Sequence, residues 1–144
     1  MSALKDANKD LIRRYLNAFN ERDEETLADL LAADVVEHGV HEELRGPEAI
    51  IDFLHRHFEM FPDYTGTTET MVAEDDTVVV RYSVSGTHTG EYRDIEPTGQ
   101  TVEWTGLVMY RIDDGEIAEI WLEEDRLGLL EQLEAVHPPA HLRL

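Results

Sequence analysis

Hydrophobic positions in the first part of the chain recur at helical spacing. Between about Asp6 and Glu21 they form one apolar stripe, made of Leu11, Ile12, Tyr15, Leu16 and Phe19. Asp23 then suits the N-cap of a short second helix, because its side chain can accept a hydrogen bond from the first turn. The apolar residues of that second helix are Leu27, Leu30 and Leu31.

A short strand and a third helix follow. The strand begins at Val35 and Val36 and carries His38. Gly46-Pro47 opens the helix, since proline is tolerated at a first helical position, and Pro62 ends it. The buried side of this helix is predicted to carry Ile50, Phe53, Leu54, His57, Phe58 and Phe61.

After Pro62 the hydrophobic period changes from helical to alternating. The alternation predicts four strands, over Thr65–Glu74, Thr77–His88, Gln100–Asp113 and Glu116–Glu124. Asp75-Asp76 and Asp113-Asp114-Gly115 are suitable hairpin turns between neighbouring strands. A short closing helix is expected over Leu127–Leu133.

Helices followed by an antiparallel sheet indicate a single α+β domain over residues 1–144, with the sheet wrapped around three N-terminal helices. Three helices do not cover a strongly curved sheet completely. The space left between helices and sheet is therefore the expected position of a small-molecule pocket.

Composition narrows the class of protein. Hydrophobic residues make up 42% of the 144, as in an ordinary globular protein, and no apolar run reaches the roughly 20 residues that span a bilayer. Met1–Asp10 lacks the apolar block of a signal peptide, so a cytoplasmic location is expected. Cysteine is absent, which excludes disulfides, thiolate catalysis and thiolate metal sites.

The net charge argues against proteins that bind nucleic acids or anionic membranes. The 32 acidic residues against 12 basic ones give a formal net charge of −20, and such a field repels nucleic acids and anionic membranes. Only Lys5 and Lys9 are lysines. An acidic, lysine-poor surface favours a protein from a high-salt (halophilic) cytoplasm over a merely acidic mesophilic one.

Five short segments, in order, carry a resemblance to a known family. They are Leu44-Arg45-Gly46-Pro47-Glu48; Phe61-Pro62-Asp63; Gly86-Thr87-His88-Thr89-Gly90-Glu91; Pro97-Thr98-Gly99; and Tyr110-Arg111 through Asp114-Gly115-Glu116-Ile117 to Glu119, Trp121 and Asp125, followed by Gly128–Leu133. With them the chain resembles the SnoaL-like polyketide cyclases of the NTF2-like superfamily.

The resemblance implies a cone-shaped α+β barrel that forms a homodimer or larger homo-oligomer through its sheet faces. In these cyclases an aspartate at the end of the last strand is the general acid/base of an intramolecular aldol ring closure that needs no metal or cofactor. Asp125 matches that aspartate. His38 matches a histidine on the strand after the second helix, and His88 one at the end of a long strand.

The residues themselves allow two roles for Asp125. Strand alternation puts Trp121, Glu123 and Asp125 on one face, and burial beside the indole would raise the pKa of the Asp125 carboxyl. Asp125 also suits the N-cap of the closing helix. Because Ala118, Ile120 and Leu122 form the more apolar face of the strand, either the acidic face lines a polar pocket or a bulge re-aims the strand end.

The histidines also leave alternatives open. His38 can donate to a substrate carbonyl or be satisfied by backbone at a strand end, and His88 can be catalytic or a rim residue. The pairs His38/His41 and His55/His57 lack the spacing of a helical metal motif, so no metal site is predicted.

We therefore expect a cyclase or isomerase that uses Asp125 as acid/base on a carbonyl-containing, mostly apolar small molecule, with His38 and His88 as polarising groups. The candidate wall residues are Trp121, Tyr15, Phe53, Phe58, Trp104 and Tyr110. Two alternatives remain: a non-catalytic binding or dimerisation domain of the same fold and, more weakly, an epoxide hydrolase-like enzyme.

Overall fold

The structure, a computed structural model, describes residues 2–40, 42–92 and 94–135, so His41 of the histidine pair above lies outside the described residues. The elements, in chain order, are α1 (Ser2–Glu21), α2 (Glu24–Leu30), β1 (Leu31–His38), β2 (Glu43–Arg45), α3 (Pro47–Met60), β3 (Thr65–Glu74), β4 (Thr77–Thr87), β5 (Thr101–Asp113), β6 (Glu116–Glu124) and α4 (Arg126–Gln132). None of these helices combines the length and the apolarity that a bilayer-spanning segment needs.

The predicted α+β fold is confirmed, with the four long strands placed within one residue of their predicted bounds. The sequence pattern missed β2, whose three residues are too few to show alternation. It also assigned Leu31 to the second helix. Leu31 instead has an extended backbone and begins β1, so that Leu31 and Val35 are both buried.

The six strands form one sheet in the order β2-β1-β6-β5-β4-β3. The β1–β6 pair is parallel and the other four pairs are antiparallel. The sheet is open, with β2 and β3 at its edges, and does not close into the implied barrel. At the β3 edge, the side chain of Asn20 on α1 pairs with the backbone of Gly66. It donates to the Gly66 carbonyl at 2.9 Å and accepts from the Gly66 amide at 3.0 Å.

Helices α1 and α3 pack on one face of the sheet, which we name the inner face. Strand alternation directs the buried residues Val80, Val108 and Ile120 to this face, where they pack in one core with Ile12 and Leu54 of the helices. The opposite, outer face carries the alternating, more exposed residues of the same strands.

Candidate active site

A cavity of about 360 Å³ lies between α1, α3 and the inner face of the sheet. This volume is within the range of small-molecule sites. Aromatic and aliphatic side chains form most of its wall, and its polar groups are few. The aromatic wall residues are Tyr15, Phe19, Phe53, Tyr64, Tyr82 and Tyr110, and the titratable polar ones are Glu37, His57 and Glu124.

Glu37 brings a carboxyl group into this apolar cavity. It follows Val35 by two positions on β1, so alternation gives both residues the inner face. Glu37 is only 8% exposed, and its carboxyl has no hydrogen bond or ion pair with the residues that the structure describes. Burial, helped by the negative charges of Glu124 and Glu42, raises the pKa of Glu37 to about 7.

Two tyrosines accompany this carboxyl. The rings of Tyr15 on α1 and Tyr110 on β5 meet edge-on with centroids 5.9 Å apart, and both side chains are buried. Burial first, and then the nearby charge of Glu37, raise the pKa of both phenols well above the ordinary value. Both therefore stay neutral O–H donors at physiological pH.

The second cavity carboxylate, Glu124, is already paired. Its Oε1 accepts from Arg126 Nε at 2.7 Å and its Oε2 from the Tyr82 hydroxyl at 2.7 Å. The side chains of Glu124 and Arg126 are 5% and 12% exposed, so the ion pair is shielded from solvent. Because both oxygens have donors, Glu124 affects the cavity mainly through its negative charge and is not a free hydrogen-bond acceptor.

His57 lies on α3 and forms part of the cavity wall. Its Nδ1 is 3.0 Å from the Phe53 carbonyl oxygen, and its ring packs on Phe53 with centroids 4.4 Å apart. Burial lowers the pKa of His57, which favours the neutral imidazole.

Three of the six predicted wall residues line the cavity: Tyr15, Phe53 and Tyr110. Phe58 instead packs edge-on against Phe19 beneath the Arg22 guanidinium, and Trp104 packs on Phe61 in a second hydrophobic cluster.

Trp121 is on the outer face, together with His38. The two residues are cross-strand partners in the β1–β6 pair, and their rings stack with centroids 5.5 Å apart. His38 Nε2 lies 2.6 Å from the Glu119 carboxylate, a hydrogen bond that lowers the pKa of Glu119. Arg111 contacts the other oxygen of the same carboxylate at 3.3 Å. The structure therefore does not bring His38 or Trp121 to the cavity.

The structure gives Asp125 the cap position. Its Oδ1 accepts from the Gly128 amide at 2.8 Å, which makes it the N-cap of α4. A side chain at residue 128 would collide with this carboxylate, so the glycine leaves the room for the cap. Asp125 borders a separate depression on the outer face, beside Ser85 and Thr105, and not the cavity.

His88 is fully buried at the end of β4, against the Phe61 ring at 5.6 Å. Its Nδ1 accepts from the Thr98 amide at 3.2 Å, so the proton of the neutral ring is on Nε2. The structure does not place His88 at the cavity wall. None of the three predicted catalytic residues, Asp125, His38 and His88, therefore lines the cavity.

The sequence pattern predicted the buried position of His57 but pointed to neither of the two glutamates in the cavity. Glu37 and Glu124 each carried a usable signal, because each lies two positions from a buried or half-buried apolar residue of its strand, Val35 and Leu122. An acidic residue that continues the more apolar face of a strand is a candidate for a buried carboxyl, and buried carboxyls mark functional sites more often than exposed ones do.

Comparisons with known proteins place the chain in a family. The family model described as SnoaL-like polyketide cyclase matches residues 9–133. No curated protein sequence matches the chain.

Several solved structures share its fold at appreciable identity. IdmH of Streptomyces antibioticus, described as a candidate polyketide cyclase, is 34% identical, with a TM-score of 0.80 over 88% of this chain and 98% of its own. TsrD of Streptomyces laurentii is 29% identical, with a TM-score of 0.81 over 90% and 96%. AclR of Streptomyces galilaeus, described as a candidate hydroxylase, is 27% identical, with a TM-score of 0.82 over 90% and 97%.

Proposed function

The chain belongs to the SnoaL-like polyketide cyclase family, and from that premise we propose that Glu37 is the acid/base of a cyclase or isomerase. The substrate is a mostly apolar small molecule with a hydrogen-bearing carbon next to a carbonyl group. The family of the chain supports a cyclase- or isomerase-type role, and the lining of the cavity supports the choice of Glu37 as the acid/base.

The observation that carries this proposal is an unpaired, buried carboxyl with a pKa of about 7 inside an aromatic cavity. A general base works best when its pKa lies near the operating pH. An ordinary surface glutamate is too weak a base for a carbon acid, whereas burial makes Glu37 a stronger one and still leaves about half of it ionised at neutral pH.

The step that follows is balanced in atoms and charge. The Glu37 carboxylate takes the proton from the carbon next to the carbonyl, and the carbonyl becomes an enolate. Tyr15 and Tyr110 stay neutral and lie close to Glu37, so their hydroxyls can donate to the enolate oxygen as its charge develops. In ring closure the enolate carbon bonds to a second carbonyl carbon, and Glu37 returns its proton to the new alkoxide. In isomerisation the proton returns to another carbon.

This proposal transfers to Glu37 the role that the sequence suggested for Asp125. The chemistry is the same, a carboxyl tuned by burial, but the cavity supplies the tuning at Glu37. Asp125 is solvent-exposed and already accepts a hydrogen bond from the α4 backbone.

The test is proton exchange at carbon, which needs no knowledge of the natural substrate. Wild-type protein in D₂O should accelerate deuterium uptake next to the carbonyl of 1-tetralone, followed by NMR. Glu37→Gln keeps the side-chain shape and breaks no ion pair, and it should lower the rate at least about 100-fold. Glu123→Gln, at an exposed position of β6, is the matched control and should leave the rate unchanged.

If wild type binds 1-tetralone but exchanges its protons no faster than buffer, the cavity is a non-catalytic binding site. Equal exchange by wild type and Glu37→Gln would instead assign the catalysis to another group.

Epoxide hydrolysis is the second candidate, and the enclosed Glu124–Arg126 pair favours it. Arg126 and Tyr82 hold the Glu124 carboxylate in place, and the unpaired Glu37 carboxyl in the same cavity can accept a hydrogen bond from a water molecule and orient it for attack on an epoxide carbon. Turnover of styrene oxide in ¹⁸O-labelled water, with the label in the diol and with no exchange of 1-tetralone, would favour this reading.

A further inference from the structure

His57 forms part of the wall between two concave volumes. One is the cavity that contains Glu37. The other, which we name the outer crevice, is also about 360 Å³ and includes Met60, Tyr92 and Arg126 in its lining. Phe53 and His57 line both volumes. A molecule that fills the cavity and extends towards the crevice must therefore pass the His57 ring.

The protonation state of that ring follows from one contact. Nδ1 lies 3.0 Å from the Phe53 carbonyl oxygen, and a carbonyl oxygen only accepts, so Nδ1 must carry the proton. In the neutral ring Nε2 is then an unprotonated acceptor. No hydrogen bond to Nε2 is found among the described residues.

The acceptor oxygens of Glu124, which also lines the cavity, already have donors. Glu124 accepts from Arg126 through one oxygen and from Tyr82 through the other. His57 Nε2 therefore remains open to a donor on a bound molecule, next to the Glu124–Arg126 pair. A ligand that covers Nε2 without supplying a donor leaves this acceptor unpaired, which is costly, so a ligand that supplies a donor is favoured.

We propose that His57 is a specificity residue that accepts, through Nε2, a hydrogen bond from a hydroxyl group of the substrate. The inference rests on the proposed function for the position of the reacting carbonyl, and it adds a second requirement. The substrate carries a phenolic or enolic O–H on the part that lies towards the outer crevice. Ligands in which that oxygen is methylated are bound less well.

The test uses 1-naphthol and 1-methoxynaphthalene, in which a methyl group replaces the donor hydrogen, with binding to each measured by calorimetry. The two probes differ in solubility, so we compare their affinity ratio, 1-naphthol over 1-methoxynaphthalene, between proteins. The informative quantity is this ratio in wild type divided by the same ratio in a His57 variant. His57→Phe keeps the ring that packs on Phe53 and removes the acceptor. We expect this quotient to be about 5 to 10, the size of one neutral hydrogen bond.

His57→Gln should restore part of the preference for 1-naphthol, because its amide oxygen accepts a hydrogen bond. A second readout is the ¹⁵N spectrum of the His57 ring, assigned by its loss in His57→Gln. The free protein should show the Nδ1–H tautomer, and 1-naphthol should shift the Nε2 resonance whereas 1-methoxynaphthalene should not.

A quotient near 1, or no binding of 1-naphthol to wild type, would overturn this assignment. Such a result would leave the proposed function standing if Glu37→Gln still abolished exchange in 1-tetralone. Conversely, a quotient near 10 with no catalysed exchange would support hydroxyl recognition by His57 in a pocket that does not catalyse.

Discussion

Tyr82 of β4 lies directly opposite Gly106 of β5, and its hydroxyl occupies the space that a side chain at Gly106 would take. From there it donates to Glu124 at 2.7 Å. The glycine thus allows a bulky ring to lie across the sheet and to satisfy one oxygen of a nearly buried carboxylate. This pairing connects the packing of the sheet to the charge arrangement of the cavity.

Gly106→Ala should therefore destabilise the fold. Its methyl group would collide with the Tyr82 hydroxyl and come within 2.9 Å of the Glu123 carbonyl oxygen. We expect a loss of about 1–3 kcal/mol in the free energy of unfolding, measured in urea. Thr105→Ala, at an exposed position on the same strand, is the control and should stay within about 0.5 kcal/mol of wild type.

In a Tyr82→Leu background, which lacks both the hydroxyl and the ring carbon that the new methyl group would meet, Gly106→Ala should cost less than in wild type, although the contact with the Glu123 carbonyl remains. Full additivity of the two changes would show that the collision with Tyr82 is not the cause.

Most of the fold could be predicted because its strands are long and two-sided. Alternation over β4 and β5 is unambiguous, and Pro62 marks the change of period. The candidate site was harder to predict, because alternation says which residues share a face and not which face the helices cover. On β6 it correctly grouped Trp121 with Glu123, but the helices lie against Ile120 and Leu122 on the other face.

His38 shows the same limit. The sequence placed it correctly on a strand after the second helix. Its partner across the parallel β1–β6 pair is Trp121, and a parallel pairing between the first and last strands leaves no local signal in the chain. Contacts that distant in sequence depend on the whole fold. The predicted homo-oligomer through the sheet faces stays a prediction.

Asp125 should behave as a helix cap in mutants. Asp125→Ala removes the acceptor for the Gly128 amide and should cost about 1 kcal/mol of stability, whereas Asp125→Asn retains a good cap and should cost little. Both variants should exchange the protons of 1-tetralone at the wild-type rate. If folded Asp125→Asn lost that activity, the acid/base would be Asp125, and the assignment to Glu37 would be wrong.

Salt should stabilise the protein through its net charge. With a formal charge of −20, self-repulsion acts on the compact state, and the screening length falls from about 30 Å at 0.01 M to about 3 Å at 1 M ionic strength. The melting temperature should rise substantially over this range, with KCl and NaCl acting alike. A flat melting temperature would show that the acidic surface is not an adaptation to high salt.

The raised pKa of Glu37 should appear in stability as well as in activity. Between pH 4.5, its ordinary pKa, and about 7, its pKa in the fold, the native state holds a proton that the unfolded chain has released. Wild type therefore loses stability as pH rises through this window, by about 3 kcal/mol at 1.4 kcal/mol for each unit of pKa. Glu37→Gln has no proton to lose, so its stability relative to wild type should increase from pH 4 to pH 8.5.

Urea unfolding of the two proteins at each pH measures this difference directly, because every other titrating group is common to both. Glu123→Gln, at an exposed position of β6, is the surface control for this pH series. The exchange rate of 1-tetralone by wild type should rise over the same interval, with a midpoint near pH 7, because only ionised Glu37 can take the proton. A Glu37→Gln gap that does not change between pH 4 and pH 8.5 would mean that Glu37 titrates like a surface carboxyl, and burial would then give it no advantage as a base.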